Sequence, residues 1–128
     1  MPADGEQVAA AKRRERLGEA AMAEFEYAHT DLAREEVDKW TGPALLEFGT
    51  NWCGHCQAAQ GPFREAIAGH ESLRHAKVED GPGRPLGRSY RVKLWPTFIF
   101  LKDGVEQARL VRPESAEEIR RELAGMEG

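Results

Sequence analysis

Apolar positions along this chain fall into short runs and helical stripes separated by turn signals, a pattern that predicts alternating strands and helices. Residues 44–49 (ALLEFG) and 97–101 (TFIFL) are almost wholly apolar, so each reads as a buried strand, the second a central one. Residues 76–79 suit a further strand. Residues 105–111 return beside 97–101 across Lys102-Asp103-Gly104, because Asp-Gly supplies the positive φ angles of a tight turn. A helix is expected over 53–68, broken or kinked near Gly61-Pro62. A Gly/Pro-rich loop (81–87) and a short helical turn around 86–91 follow. Ser115 caps the last helix, Glu118 completes its capping box, and Ile119 and Leu123 form its inner face.

Upstream the pattern is double. Phe25, Tyr27 and His29 alternate as in a strand, whereas Leu17, Ala21, Phe25, Ala28 and Leu32 fit a helical stripe. The reading adopted is a strand over 24–29, then a helix over 32–40 capped by Thr30 or Asp31 and stopped at Gly42-Pro43. The order is βαβ, a connecting helix, then ββα: an α/β fold with a central mixed sheet flanked by helices. A polar extension (1–23) precedes one domain (24–128), without internal repeats.

At 128 residues the chain has the size of one domain, and its 41% hydrophobic content suffices for a core. A net charge of −4 argues against a general nucleic-acid binder. The charge is uneven, however: residues 81–112 hold seven basic and two acidic side chains, and residues 1–38 hold ten acidic and five basic. A solvated surface is the ordinary reading of such a bias, and a local basic face the sharper one. No stretch approaches the ~20 apolar residues of a membrane helix. Residues 1–20 have an acidic start and no apolar core, unlike a secretion signal, so a cytoplasmic protein away from membranes is expected.

The chain has two cysteines, in the run Trp52-Cys53-Gly54-His55-Cys56 just after a buried strand. A disulfide closing so small a loop constrains little chain, and cytosolic thiols are kept reduced, so the pair reads as reactive rather than structural. In the first turn of a helix, unsatisfied N–H groups favour a thiolate at Cys53, with Cys56 deeper but within disulfide reach. Cys53 is thus the expected nucleophile and Cys56 the resolving thiol. A protonated His55 is expected to lower the Cys53 pKa and make the oxidised pair the stronger oxidant. The bland readings are half a zinc site or two inert buried thiols. Zinc wants four ligands, and His29, His70 and His75 show no paired spacing, so no metal and no other cofactor is expected.

On these residues the sequence resembles the thioredoxin superfamily from about residue 30 to 124, and WCGHC looks like the active site of protein disulfide isomerase domains. Within the resemblance, Glu47, six residues before Cys53, matches a buried carboxylate that relays protons to the resolving cysteine. Lys77 matches the lysine beside that carboxylate. Trp95-Pro96-Thr97 matches the cis-proline segment, which faces the disulfide and offers backbone hydrogen bonds to substrates. The resemblance therefore implies a thioredoxin fold and thiol–disulfide exchange. Cys53, Cys56, Glu47 and Lys77 are its catalytic candidates, supported by Trp52, Gly54, His55, Trp95, Pro96, Thr97 and Arg112.

The departures concern the surroundings. Gln57 stands where the family often has Lys, Pro62 lies one residue late, Trp95 replaces a smaller aliphatic residue, and Arg112 replaces a glycine at the groove rim. The implied partners are protein disulfides or dithiols, with thioredoxin reductase or glutathione recharging a monomer. The alternative is a thioredoxin-fold binding module of a larger complex with incidental cysteines.

Overall fold

The apolar runs become four strands, β1 (Pro43–Gly49), β2 (Arg74–Glu79), β3 (Thr97–Lys102) and β4 (Val105–Val111), in a computed structural model that describes residues 26–28, 31–70 and 73–127. They form one mixed sheet in the order β2-β1-β3-β4, parallel between β1 and β2 and antiparallel elsewhere. Around it lie α1 (Arg34–Asp38), α2 (Gly54–Ala58), α3 (Gln60–Ile67), α4 (Pro85–Ser89) and α5 (Ala116–Glu127).

Both faces of the sheet are covered, which explains why β1 and β3 read as continuous apolar runs. Leu45, Phe98 and Phe100 pack with Phe63 of α3 and with Ile119 and Leu123 of α5. Leu46, Phe48, Ile99 and Leu101 pack on the opposite face with Val37 of α1 and Leu86 of α4. Glu47 shares the strand parity of Leu45, and so points into the face beneath α3. The inner face of α5 and its Ser115 cap are as the sequence reading has them: the Glu118 N–H donates to Ser115 Oγ at 3.3 Å.

Elsewhere the structure corrects that reading. The extension 1–23 and residues 24, 25, 29 and 30 lie outside the described residues. Of the strand expected over 24–29, Ala28 makes an isolated parallel bridge with Val78, its N–H donating to the Lys77 carbonyl at 3.0 Å. The helix expected over 32–40 is shorter and is capped at Ala33, not Asp31, because the Glu36 carboxylate reaches back to the Ala33 N–H at 2.9 Å. The helix expected over 53–68 is two helices with the break at Ala59. Pro62 accounts for it: a proline has no N–H to donate, and its ring collides with the carbonyl four residues earlier, on Ala58. The loop expected over 81–87 ends at Arg84, since Pro85 is preset for a first helical turn.

Asp103 and Gly104, with φ of 52° and 78°, make the turn between β3 and β4. A Cβ at Gly104 would lie 2.2 Å from the Asp38 carbonyl oxygen, whereas one at Gly61 meets nothing within 4 Å. Gly104→Ala is therefore expected to destabilise the protein by roughly 2–4 kcal/mol, combining a strained φ with a clash. Gly61→Ala, inside a helix, should be neutral or stabilise by up to about 1 kcal/mol. Urea unfolding of both variants checks this, and equal losses would contradict it.

Candidate active site

Cys53 ends the turn after β1 and caps α2, with extended backbone (φ −81°, ψ 125°) and its Sγ accepting the Cys56 N–H at 3.4 Å. This is the place of a Ser, Thr or Asp oxygen in an ordinary N-cap, and a thiolate fills it better than a neutral thiol. Both cysteines are free thiols, Cys53 8% exposed and Cys56 1%. Burial pushes the Cys53 thiol up. Hydrogen bonds from the Cys56 backbone and side chain and from the His55 backbone, together with the Arg112 charge, outweigh it and hold Cys53 below the ordinary thiol value. Burial pushes Cys56 up to about 11, and the neighbouring Cys53 reinforces this against hydrogen bonds from the Thr50 backbone and Tyr27. Of two thiols three residues apart, only one ionises readily.

Two contributions beyond the one expected of the His55 imidazole act on Cys53. The side chain of His55 is exposed while its backbone N–H bonds to Cys53, and the Arg112 charge acts on the same thiol. Gly54, between them, has open space around its Cα and places no side chain over the sulfur.

Beneath Cys56 lies a buried polar cluster. The β1–β2 register sets Glu47 opposite Lys77 and Leu45 opposite His75, so Lys77 and His75 share the face of Glu47. Glu47 Oε2 accepts the Tyr27 hydroxyl and lies 3.7 Å from Lys77 Nζ, and Oε1 lies 3.4 Å from His75 Nε2. Lys77 Nζ also sits 4.3 Å from the centre of the Tyr27 ring, a cation–π contact. Burial lowers the Lys77 pKa, with Glu47 and Cys56 opposing it. Burial, and then the charge and hydrogen bond of Glu47, raise the Tyr27 phenol far above its ordinary range. Gly49 makes the cluster fit: a Cβ there would lie 2.5 Å from Cys56 Sγ and 2.8 Å from Tyr27 Cζ. A cavity of about 60 Å³, lined by Tyr27, Thr50, Cys56, Gln60 and Lys77 among others, adjoins it and has room for water.

The second wall is the segment before β3, where the Trp95–Pro96 peptide is cis. Trp95 packs against Tyr27, Cys53 and Cys56, and its indole N–H donates to Asp80 Oδ2 at 2.9 Å. Trp52, 72% exposed, stands edge-on to Trp95 with ring centres 5.8 Å apart. Thr97 is buried and its hydroxyl donates to the Leu94 carbonyl at 2.6 Å, so it shapes this segment from within. Arg112 has a φ of 54°, a region that strains any residue but glycine. It is held there by its N–H to the Pro96 carbonyl (2.9 Å) and its Nε to the Trp95 carbonyl (2.8 Å). Beside Trp95 opens a cleft of about 510 Å³ lined by Asp80, Arg84, Arg88, Arg91 and Lys93.

The structure thus brings Cys53, Cys56, Glu47, Lys77, Trp52, Trp95 and Arg112 to one place, and three more residues join them. Tyr27 and His75 were legible only as parity partners, Tyr27 in the alternating run 25–29 and His75 two residues from Lys77. Asp80 carried no sequence signal, since its partner Trp95 is fifteen positions away.

The thioredoxin family model matches residues 25–125. Thioredoxin 2 from Pseudomonas aeruginosa, solved in its reduced form, is 52% identical with a TM-score of 0.73, over 82% of this chain and 99% of that one. Thioredoxin-1 of Caenorhabditis elegans is 37% identical over 80 residues, 62% of this chain and 67% of that protein. Protein disulfide-isomerase A2 of Pongo abelii is 40% identical over 67 residues, 48% of this chain but 13% of that protein.

If backbone N–H groups and Arg112 rather than the imidazole activate Cys53, the variants separate cleanly. His55→Ala keeps the N–H and should leave the pH of half-maximal Cys53 alkylation nearly unchanged. His55→Pro removes the N–H, and Arg112→Gly the cation, so each should raise it. The rate of iodoacetamide reaction against pH reads all three, and a rise in His55→Ala equal to that in His55→Pro would restore the imidazole as the activator.

Proposed function

The chain belongs to the thioredoxin family of thiol–disulfide oxidoreductases, and from that premise we propose that it exchanges disulfides with proteins, as reductase and isomerase. The observation that carries the roles is the split between the two thiols, Cys53 lowered and the less deeply buried, Cys56 raised and fully covered. In the reductive direction the Cys53 thiolate attacks a target disulfide, forming a mixed disulfide and releasing one target thiolate. Cys56 loses its proton towards Glu47, with Lys77 beside that carboxylate, and attacks Cys53 Sγ. The Cys53–Cys56 bond forms, the bond to the target breaks, and the second target thiolate leaves. The reverse sequence oxidises a dithiol or, stopped at the mixed disulfide, lets a target reshuffle. Thioredoxin reductase or glutathione recharges the pair in the cytoplasm, and the protein acts as a monomer.

The groove beside Cys53 supports a partner class. Trp52 and Trp95 offer aromatic surface, and the cleft next to Trp95 carries Arg84, Arg88, Arg91 and Lys93. Large aromatics and guanidinium groups suit apolar and acidic peptide segments respectively, so disulfides flanked by Asp or Glu are the favoured targets.

Two measurements test the proposal. Insulin reduction should proceed with the intact protein and stop with Cys53→Ser, whereas Cys56→Ser should accumulate a mixed disulfide on Cys53; trapping on Cys56 instead would reverse the roles. Arg88→Glu with Lys93→Glu should lower kcat/KM about tenfold for an acidic disulfide peptide and raise it for a basic one. Dithionitrobenzoate should be reduced as before. A uniform change across the three substrates would remove the charge-based choice of partner.

A further inference from the structure

A phenol adjoins both Cys56 and the carboxylate that receives its proton. Glu47 Oε2 is engaged by the Tyr27 hydroxyl and Oε1 faces His75, while Cys56 packs against Tyr27 in the same buried cluster. The same absent side chain at Gly49 admits Cys56 Sγ and the Tyr27 ring and hydroxyl to one small space. Tyr27 is itself fixed from both ends: its N–H donates to Asn51 Oδ1 at 2.8 Å, and Ala28 bridges to Val78 of β2.

We propose that Tyr27 is a catalytic residue that conducts the proton of Cys56 to Glu47, its oxygen accepting the thiol proton as its own hydroxyl proton passes to Glu47 Oε2. The inference rests on the exchange reading above and concerns its second step. The exchange balances: a Cys56 thiol and a Glu47 carboxylate become a Cys56 thiolate and a Glu47 carboxylic acid, and Tyr27 ends as a neutral phenol donating to the thiolate. No electron moves until that thiolate attacks Cys53. The bond formed is Cys53–Cys56, the bond broken joins Cys53 to the target, and the target thiolate takes a proton from solvent while Glu47 returns its own to solvent.

A phenol is suited to this because it accepts and donates through one oxygen and, buried here, does not hold a negative charge at neutral pH. The groups that set the pH response are all in place around the carboxylate: Tyr27 from the N-terminal segment, His75 and Lys77 from β2 and Cys56 from α2, with Arg64 of α3 acting on Lys77.

The test is a single turnover of the reduced protein with excess dithionitrobenzoate. Attack by Cys53 releases the first thionitrobenzoate, and attack by Cys56 on the mixed disulfide releases the second. The first release tests the exchange reading by itself. Tyr27→Phe keeps the ring and should leave the first release unchanged, slow the second by roughly tenfold or more at pH 7, and move its pH profile upward. Glu47→Gln should slow the second release similarly, and the double variant should slow it no further than the slower single one, because the two residues act in series. A second release within twofold of the parent in Tyr27→Phe, or effects that multiply in the double variant, would overturn the proposal. The unsubstituted protein gives an independent check should a variant not fold. Two protons moving together make the second-release rate fall as a curve with deuterium fraction in mixed H2O and D2O, and a straight line would overturn the concerted relay.

Discussion

The N–H of Cys56 points at Cys53 Sγ from 3.4 Å, and that contact joins the fold to the chemistry. It exists because β1 delivers the chain into a tight turn and α2 begins immediately after Cys53, leaving the first N–H groups of the helix without carbonyl partners. A sulfur at the cap position receives them. The same helix carries Cys56 inward over the end of β1, where Gly49 leaves space for its sulfur and where burial disfavours a charge. Two chemically identical side chains thus acquire opposite tendencies from a displacement of less than one helical turn. Arg112 adds to the asymmetry across the groove, at the expense of a left-handed backbone conformation.

Burying Glu47 with Lys77 and His75 is the other constraint. Charges taken out of water are expensive unless they are paired and hydrogen-bonded, and stability alone would be served as well by apolar side chains. Here the carboxylate meets a lysine, a histidine and a phenol beneath a thiol that resists ionisation. Such an arrangement is intelligible as a proton acceptor held next to an unwilling donor. It joins the strand that carries Glu47 to the helix that carries Cys56, so the sheet acts as the floor of the site as well as the core of the domain.

Most of this was legible in the sequence because it is local or periodic. The buried strands announced themselves by unbroken apolar runs, the turn by Asp103-Gly104, and the redox pair by spacing after a strand. The break at Ala59 was misplaced by a few residues because a proline disturbs the helix one turn ahead of itself. Contacts between distant segments could be read only where the resemblance implied them, as for Lys77 beside Glu47. Tyr27 reaches Glu47 across twenty positions, Trp95 reaches Asp80 across fifteen, and Arg112 meets the Trp95 carbonyl across seventeen. The backbone part played by His55 was missed for a related reason: a cation next in sequence invites an electrostatic account, while the start of the helix also brings its N–H to the sulfur.

The claim at the centre is that position alone separates the two thiols. Titration of the reduced protein with 13C at the cysteine Cβ atoms, followed by NMR, reads both sites in one sample without alkylating either. Cys53 should titrate below the ordinary thiol value of ~8.5, and Cys56 well above it, at about 11. Two thiols titrating together near 8.5, or Cys56 ionising first, would contradict the account.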